Sequence, residues 1–168
     1  NTITVTVDTD TDTVVKKVNE FIDAYNALST RIKELTKYDK TTQKAGLFLS
    51  DSTITNILDR MTSLVTGTVK GLTEGSTQGN LVELGFNTGS IGSAIGTTDT
   101  LQIDEGKLRD AIKKTPTRVA QLFGAVDTAA GGSQGTFEQF KAYFDSLSNA
   151  TGIFAQRQKI ATTQIQDI

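Results

Sequence analysis

Val14, Val18, Phe21, Tyr25, Leu28, Ile32 and Leu35 follow one another at intervals of 4, 3, 4, 3, 4 and 3 residues. That spacing is an a/d heptad seam, and it confines the segment to a long amphipathic helix, since such a repeat returns to one helix face turn after turn. Ile22 widens the stripe on one side. Asp12 or Thr13 is expected to cap the helix start. A stripe of this kind needs another helix to cover it, and the chain provides one beyond the polar turn "KELTKYDKTTQKAGLFLSD", residues 33–51. There Ile54, Ile57, Met61 and Leu64 step 3, 4, 3, with Leu58 and Val65 beside them and Ser50 or Asp51 as cap. Two amphipathic helices joined by a short polar connection pack antiparallel.

A last helix is expected from Phe137, carrying Phe137, Phe140, Phe144, Leu147, Thr151, Phe154, Gln158, Ala161, Ile165 and Ile168 on one seam without interruption. Its first half is aromatic and reads as core. Its second half, with Thr151 and Gln158 in the seam and Gly152 beside it, is thinner and calls for a partner helix. Between these helices, "NLVELGFN" and "TLQID" read as two short strands around a Gly-rich loop, a hairpin near residues 81–103. Asp104 then caps a helix with Leu108, Ala111 and Ile112 inward. Thr115 caps the next, with Pro116 at its first position, Val119, Leu122 and Phe123 on its apolar face, and Gly124 at its end.

At the other extreme, "NTITVTVD" alternates strictly, with Ile3, Val5 and Val7 on one face and threonines on the other. This is a half-buried β-strand whose pairing partners are not in these residues. The expected architecture is mainly α with a small β component: an antiparallel helical bundle with heptad seams, one short β-hairpin, and an N-terminal strand of a separate β-rich domain. Residues 1–12 read as the exit strand of that domain, 13–150 as a helical domain, and 151–168 as the start of a C-terminal coiled-coil helix. The chain reads as an ordered piece of a longer protein.

Composition narrows the function. The 168 residues contain no cysteine, no histidine and no tryptophan. Thiolate nucleophiles, disulfides and Cys-ligated zinc are excluded, and the commonest general base and transition-metal ligand are missing. The expectation is a protein that is not an enzyme, with no cofactor and no metal. Net charge is −2 with the signs interspersed, so no basic stripe marks a nucleic-acid partner. No apolar run approaches membrane-spanning length, and no signal peptide is visible.

The remaining motifs yield to structural readings. "DTDTD" places Asp8, Asp10 and Asp12 at the opening spacing of a calcium loop, but Thr13 stands where that loop needs Gly and Asn19 where it needs Glu. Carboxylates there suit a helix N-terminus. Gly85, Gly89, Gly92 and Gly96 have no GK[ST] behind them and read as a loop tip rather than a phosphate cradle. Asp104 and Glu105 read as a cap and a first-turn acid, not a glycosidase pair. Tyr25 lies in the seam with its hydroxyl reaching outward and Tyr143 lies beside the last seam, whereas Tyr38 sits where the first helix stops.

The stretch "VNEFIDAYNALSTRIKELTKYDKTTQKAGLFLSD" resembles the flagellar filament cap proteins of bacteria, the FliD-type hook-associated family. The residues that carry the likeness are Tyr25-Asn26, Leu35-Thr36, Tyr38-Asp39, Gly46-Leu47 and Asp51. A second block, "LVELGFN…TLQIDEGKLRDAIKKTPTRVAQLF", resembles the family through Leu84, Gly85, Leu101, Asp104, Lys107, Leu108, Pro116, Val119, Leu122 and Phe123. Two departures stand out: Ser50 where the family usually has Gly before its capping Asp, and a long hairpin loop carrying Asp99 where the family's is short.

The resemblance implies a helical leg domain, with β-rich head domains inserted before the first helix and terminal helices extending past the last. It implies a structural protein that caps the filament tip and promotes flagellin assembly. The implied partners are copies of itself, flagellin and the hook–filament junction proteins, without nucleic acid or membrane insertion. The implied location is extracellular, at the distal tip of the flagellum, reached by the flagellar type III route without a cleaved signal peptide. Candidate packing and interface residues are Val18, Phe21, Tyr25, Leu28, Ile32, Leu35, Phe137, Phe140, Phe144, Leu147 and Phe154, with Tyr38, Asp39, Gly46 and Asp51 forming the motif turn. The competing reading is a surface adhesin or phage-tail-like tip module on a helical stalk, binding through loops 73–80, 87–99 and 125–135.

Overall fold

The computed structural model describes residues 10–72, 79–89, 98, 100–124, 134–149, 152 and 155–156. The expected strand at residues 1–9, Phe154, and nearly all of the 151–168 segment lie outside these. Helix α1, Thr11–Thr36, is the longest element and the spine of the fold. A two-residue ribbon, β1 (Tyr38–Asp39) and β2 (Lys44–Ala45), leads to α2, Ser52–Thr66. A 3-10 turn at Leu81–Leu84 precedes β3 (Phe86–Thr88), which pairs antiparallel with β4 (Leu101–Ile103) in the register Phe86 with Ile103 and Thr88 with Leu101. Helices α3 (Glu105–Lys114), α4 (Pro116–Phe123) and α5 (Thr136–Ser148) complete the described elements.

The mainly helical architecture with small antiparallel β elements is the one expected, but the details differ. There are two hairpins among the described residues rather than one, because the polar turn after α1 pairs with itself. "NLVELGFN" is only half strand. Asn80 accepts the Val82 N–H and winds Leu81–Leu84 into a turn, which Gly85 ends with a left-handed backbone at φ 98°.

Local caps also shift. The cap of α1 is Asp10, not Asp12 or Thr13: its carboxylate accepts both the backbone N–H and the hydroxyl of Thr13, at 3.0 and 2.6 Å. Asp12 instead faces Arg109 of α3. Asp51 and Asp104 cap α2 and α3 as their positions predict, through Thr53 N–H and Lys107 N–H. Thr115 does not cap α4 with its side chain; its hydroxyl donates back to the Ala111 carbonyl of α3. The expected uninterrupted helix from Phe137 stops at Ser148, where Asn149 adopts an extended backbone.

The core joins both hairpin-linked helices to the second half of the chain. Met61, Val65, Leu81, Leu84, Phe86, Leu101, Leu108 and Leu122 are all essentially without solvent contact. Each such side chain contributes about 1.5–3 kcal/mol through burial. On α1 the innermost row is Val15, Val18, Ile22, Tyr25, Ser29 and Ile32. The true core face is thus rotated toward Ile22. Val14, Phe21, Leu28 and Leu35, four members of the heptad seam, stand half-buried at its edge.

Candidate protein-interaction site

The turn between α1 and α2 is built almost entirely by backbone and carboxylate hydrogen bonds. Helix α1 ends when Lys37 goes extended, and the Thr36 hydroxyl donates to the Ile32 carbonyl at 2.8 Å. The Asp39 carboxylate accepts the N–H groups of Thr41 and Thr42 at 2.8 and 3.2 Å, which shapes the tip of the β1–β2 ribbon. The Thr42 side-chain and backbone hydrogen bonds, with that from Thr41, hold this carboxyl below the usual carboxylate range.

Gly46 explains itself by distance. Its N–H donates to the Lys37 carbonyl at 2.9 Å, and a Cβ there would lie 2.3 Å from the Leu35 carbonyl oxygen. Only glycine lets the returning chain lie against the end of α1. Phe48 then donates its N–H to that same Leu35 carbonyl at 2.8 Å and turns its ring to the core. Ser50 takes a left-handed backbone, φ 65°, immediately before the Asp51 cap.

Folding Phe48 inward leaves its neighbours outside. Leu47 is 79% exposed, Tyr38 50% and Leu49 43%, the large apolar side chains that stand out to solvent among the described residues. All three sit on this one turn. Exposed apolar side chains gathered on one turn are a candidate protein-contact surface.

Behind the turn an apolar groove runs along α1. One stretch, about 440 Å³, lies between Leu28, Leu35 and Phe48 on one side and Phe144 and Leu147 of α5 on the other. It continues into a second stretch of about 230 Å³ walled by Phe21, Leu28, Phe140 and Phe144. Helices α1 and α5 run parallel here: Phe21 meets Phe137 and Phe140 with ring centroids 4.7 and 5.3 Å apart, whereas Leu35 shares its stretch with Leu147.

The candidate residues therefore separate. Val18, Tyr25, Ile32 and Phe140 are core. Tyr25 does not reach outward: its hydroxyl meets Thr62 Oγ1 of α2 at 3.2 Å. Phe21, Leu28, Leu35, Phe144 and Leu147 line the groove. Phe137 is half-buried and stacks on Phe123 at 4.8 Å. Next to Phe144, whose ring it meets at 5.5 Å, Tyr143 has its hydroxyl pushed above its ordinary value by burial. No group of three or more His, Cys, Asp or Glu that could hold a metal occurs among the described residues.

Over residues 1–168 the chain matches the family described as Flagellar hook-associated protein 2 C-terminus. The chain belongs to that family. It is 27% identical over 180 residues to the flagellar hook-associated protein 2 of Thermotoga maritima, covering 98% of this chain and 29% of that one. It is 26% identical over 144 residues to the lateral flagellar hook-associated protein 2 of Vibrio parahaemolyticus, covering 86% and 28%. The chain thus spans under a third of the length of these relatives. Its fold resembles the crystal structure of the flagellar cap protein FliD D1-D2-D3 domains from Escherichia coli, with a TM-score of 0.67 and 26% identity over 92% of this chain and 37% of that chain.

Within this hook-associated protein 2 family chain, the motif turn of Tyr38, Asp39, Gly46 and Asp51 has a physical reading. Asp39, Gly46 and Asp51 build the turn, and Tyr38 with Leu47 and Leu49 is what the turn displays. Sequence reasoning located the turn but missed Leu47 and Leu49 as its exposed face. Their alternation with the inward Phe48 was the available signal.

Proposed function

We propose that this chain is the helical leg of a flagellar filament cap protein, which holds the filament tip and promotes flagellin assembly through protein contacts rather than catalysis. The observation that carries the reading is the family match along the whole chain, joined to the likeness with a solved flagellar cap protein over 92% of its length. The absence of cysteine and histidine from the sequence and the lack of a carboxylate cluster among the described residues fit a protein that works by docking. The partners are copies of the protein itself, flagellin and the hook–filament junction proteins. The site is extracellular, at the distal tip, reached by the flagellar type III route.

In this reading residues 1–12 are the exit strand of a β-rich head domain, 13–150 form the leg, and 151–168 begin the terminal coiled-coil helix. The Tyr38–Leu47–Leu49 face is the leg's contact with a neighbouring protein. The test is deletion of the gene in its flagellated source cell. Absent filaments with monomeric flagellin in the medium support the cap. Intact filaments with loss of surface attachment would move the protein to the adhesin class.

A further inference from the structure

The turn between α1 and α2 carries charge as well as apolar surface. Residues 33–51 hold four lysines and three carboxylates, a net +1 in a chain whose net charge is −2, so the turn is positive against a negative remainder. The two signs are used differently. Glu34 pairs with Arg31 at 3.1 Å. The Asp39 carboxylate accepts the Thr41 and Thr42 N–H groups, and that of Asp51 accepts the Thr53 N–H. All three carboxylates thus have partners inside the chain. Lys37, Lys40 and Lys44 stand exposed and make no ion pair among the described residues. Lys44 lies opposite Asp39 in the ribbon register. Lys37 is the last influence, after the Thr42 and Thr41 hydrogen bonds, that holds the Asp39 carboxyl low. Neither lysine closes on that carboxylate.

The backbone gathers these charges around the apolar face. Tyr38 stands between Lys37 and Lys40 in sequence and pairs across the ribbon with Ala45, the neighbour of Lys44. The Gly46 N–H bonds to the Lys37 carbonyl at 2.9 Å, which holds the residue before Leu47 against Lys37. We propose that this face binds an acidic protein surface in which carboxylates ring an apolar recess: Tyr38, Leu47 and Leu49 enter the recess, and Lys37, Lys40 and Lys44 meet the carboxylates at its rim. The inference rests on the reading of the turn as the leg's contact with a neighbouring protein.

An apolar centre inside a polar rim is the usual anatomy of a protein interface. Rim charges steer the encounter and reject surfaces of like sign. Anionic lipid head groups also attract lysine, but the Asp39 carboxylate sits among these lysines at the ribbon tip. A uniformly negative plane repels it, whereas a protein surface can leave that spot uncharged.

The test is zero-length coupling of amines to carboxylates by a carbodiimide on intact flagella of the source cell, with the joined peptides identified by mass spectrometry. Only a lysine and a carboxylate in contact are joined, so the pairs Lys17–Glu20, Lys114–Asp110 and Lys141–Asp145, at 2.8, 2.8 and 2.7 Å, are internal controls. Coupling of Lys37, Lys40 or Lys44 to a carboxylate of another protein is expected. It should disappear when all three are changed to Arg, with filament number within about twofold of native because the charge is kept. Lys37→Glu with Lys40→Glu, leaving Lys44 to face Asp39, should lower filament number at least about tenfold through like-charge repulsion.

Control pairs that react while these lysines stay uncoupled overturn the proposal. So do normal filaments in Lys37→Glu with Lys40→Glu. Binding of the full protein to phosphatidylserine vesicles, abolished by the same two changes, also overturns it and puts a lipid surface in place of the protein. Leu47→Asp with Leu49→Ser separates this inference from the reading beneath it. Filaments lost in that variant while the lysines of the native protein stay uncoupled keep the contact and remove only its acidic partner.

Discussion

Asn26 on α1 forms both hydrogen bonds of an amide pair with the backbone of Leu101: its Nδ2 donates to the Leu101 carbonyl at 2.9 Å, and its Oδ1 accepts the Leu101 N–H at 2.8 Å. A single side chain thus acts as an extra strand beside β4 and fixes the β3–β4 hairpin to α1. Leu101 is fully buried, so both of its backbone groups depend on Asn26.

Replacing Asn26 with Ala orphans a buried donor and a buried acceptor and should destabilise the chain by about 2–3 kcal/mol. Asn26→Asp keeps the bond from Leu101 N–H but sets a carboxylate against the Leu101 carbonyl, and should cost at least as much. Denaturant unfolding monitored by circular dichroism reads both. A loss below about 0.5 kcal/mol for Asn26→Ala would mean the hairpin is held by burial alone.

At the motif turn, opposite substitutions should have opposite effects. Gly46→Ala drives a methyl into the Leu35 carbonyl and should lose about 3 kcal/mol. Ser50→Gly relieves a left-handed backbone in a residue with a Cβ and should gain about 0.5–1 kcal/mol. Thermal melts of the two variants beside the native chain check the pair. A destabilised Ser50→Gly would show that the left-handed geometry costs nothing there.

The Asp39 carboxylate, held below its ordinary range by Thr42 and Thr41, makes the tip of the turn acid-sensitive. A lowered folded-state pKa means that its contribution is complete above the unfolded carboxylate range. It is lost as the pH falls through the lowered value. The stability difference between the native chain and Asp39→Asn should therefore be present at neutral pH and vanish in acid. A difference that persists unchanged at low pH would place the effect elsewhere. Asp10, lowered by its bonds to Thr13, follows the same sign at the start of α1.

Heptad spacing made α1 and α2 legible, since only helices return one face at those intervals. It did not reveal which flank of the stripe would be deepest. Ile22 and Ser29 are buried because α2 and the β3–β4 hairpin approach from that side, a tertiary fact without a local signal. The shift of the cap from Asp12 to Asp10 was hidden by the repetition of Asp and Thr, any of which can cap. The break at Ser148 was hidden because Thr151 and Gln158 kept the period, while Gly152, read as a weak point in a seam, packs against the Ser146 and Leu147 carbonyls at the end of α5. At the turn, Asp39, Gly46 and Asp51 were readable by family likeness. The reason for Gly46 appeared only with the Leu35 carbonyl beside it.

We propose that the Tyr38–Leu47–Leu49 turn carries the contact on which filament assembly depends. The most direct measurement is filament number, with free flagellin in the medium, in cells whose own gene carries Leu47→Asp and Leu49→Ser. Both side chains are exposed, so stability should change by less than about 0.5 kcal/mol and the protein should still be exported. Few or no filaments, with flagellin monomers leaking into the medium, are expected. Filaments of normal number and length, with the variant present at native amounts, would contradict it.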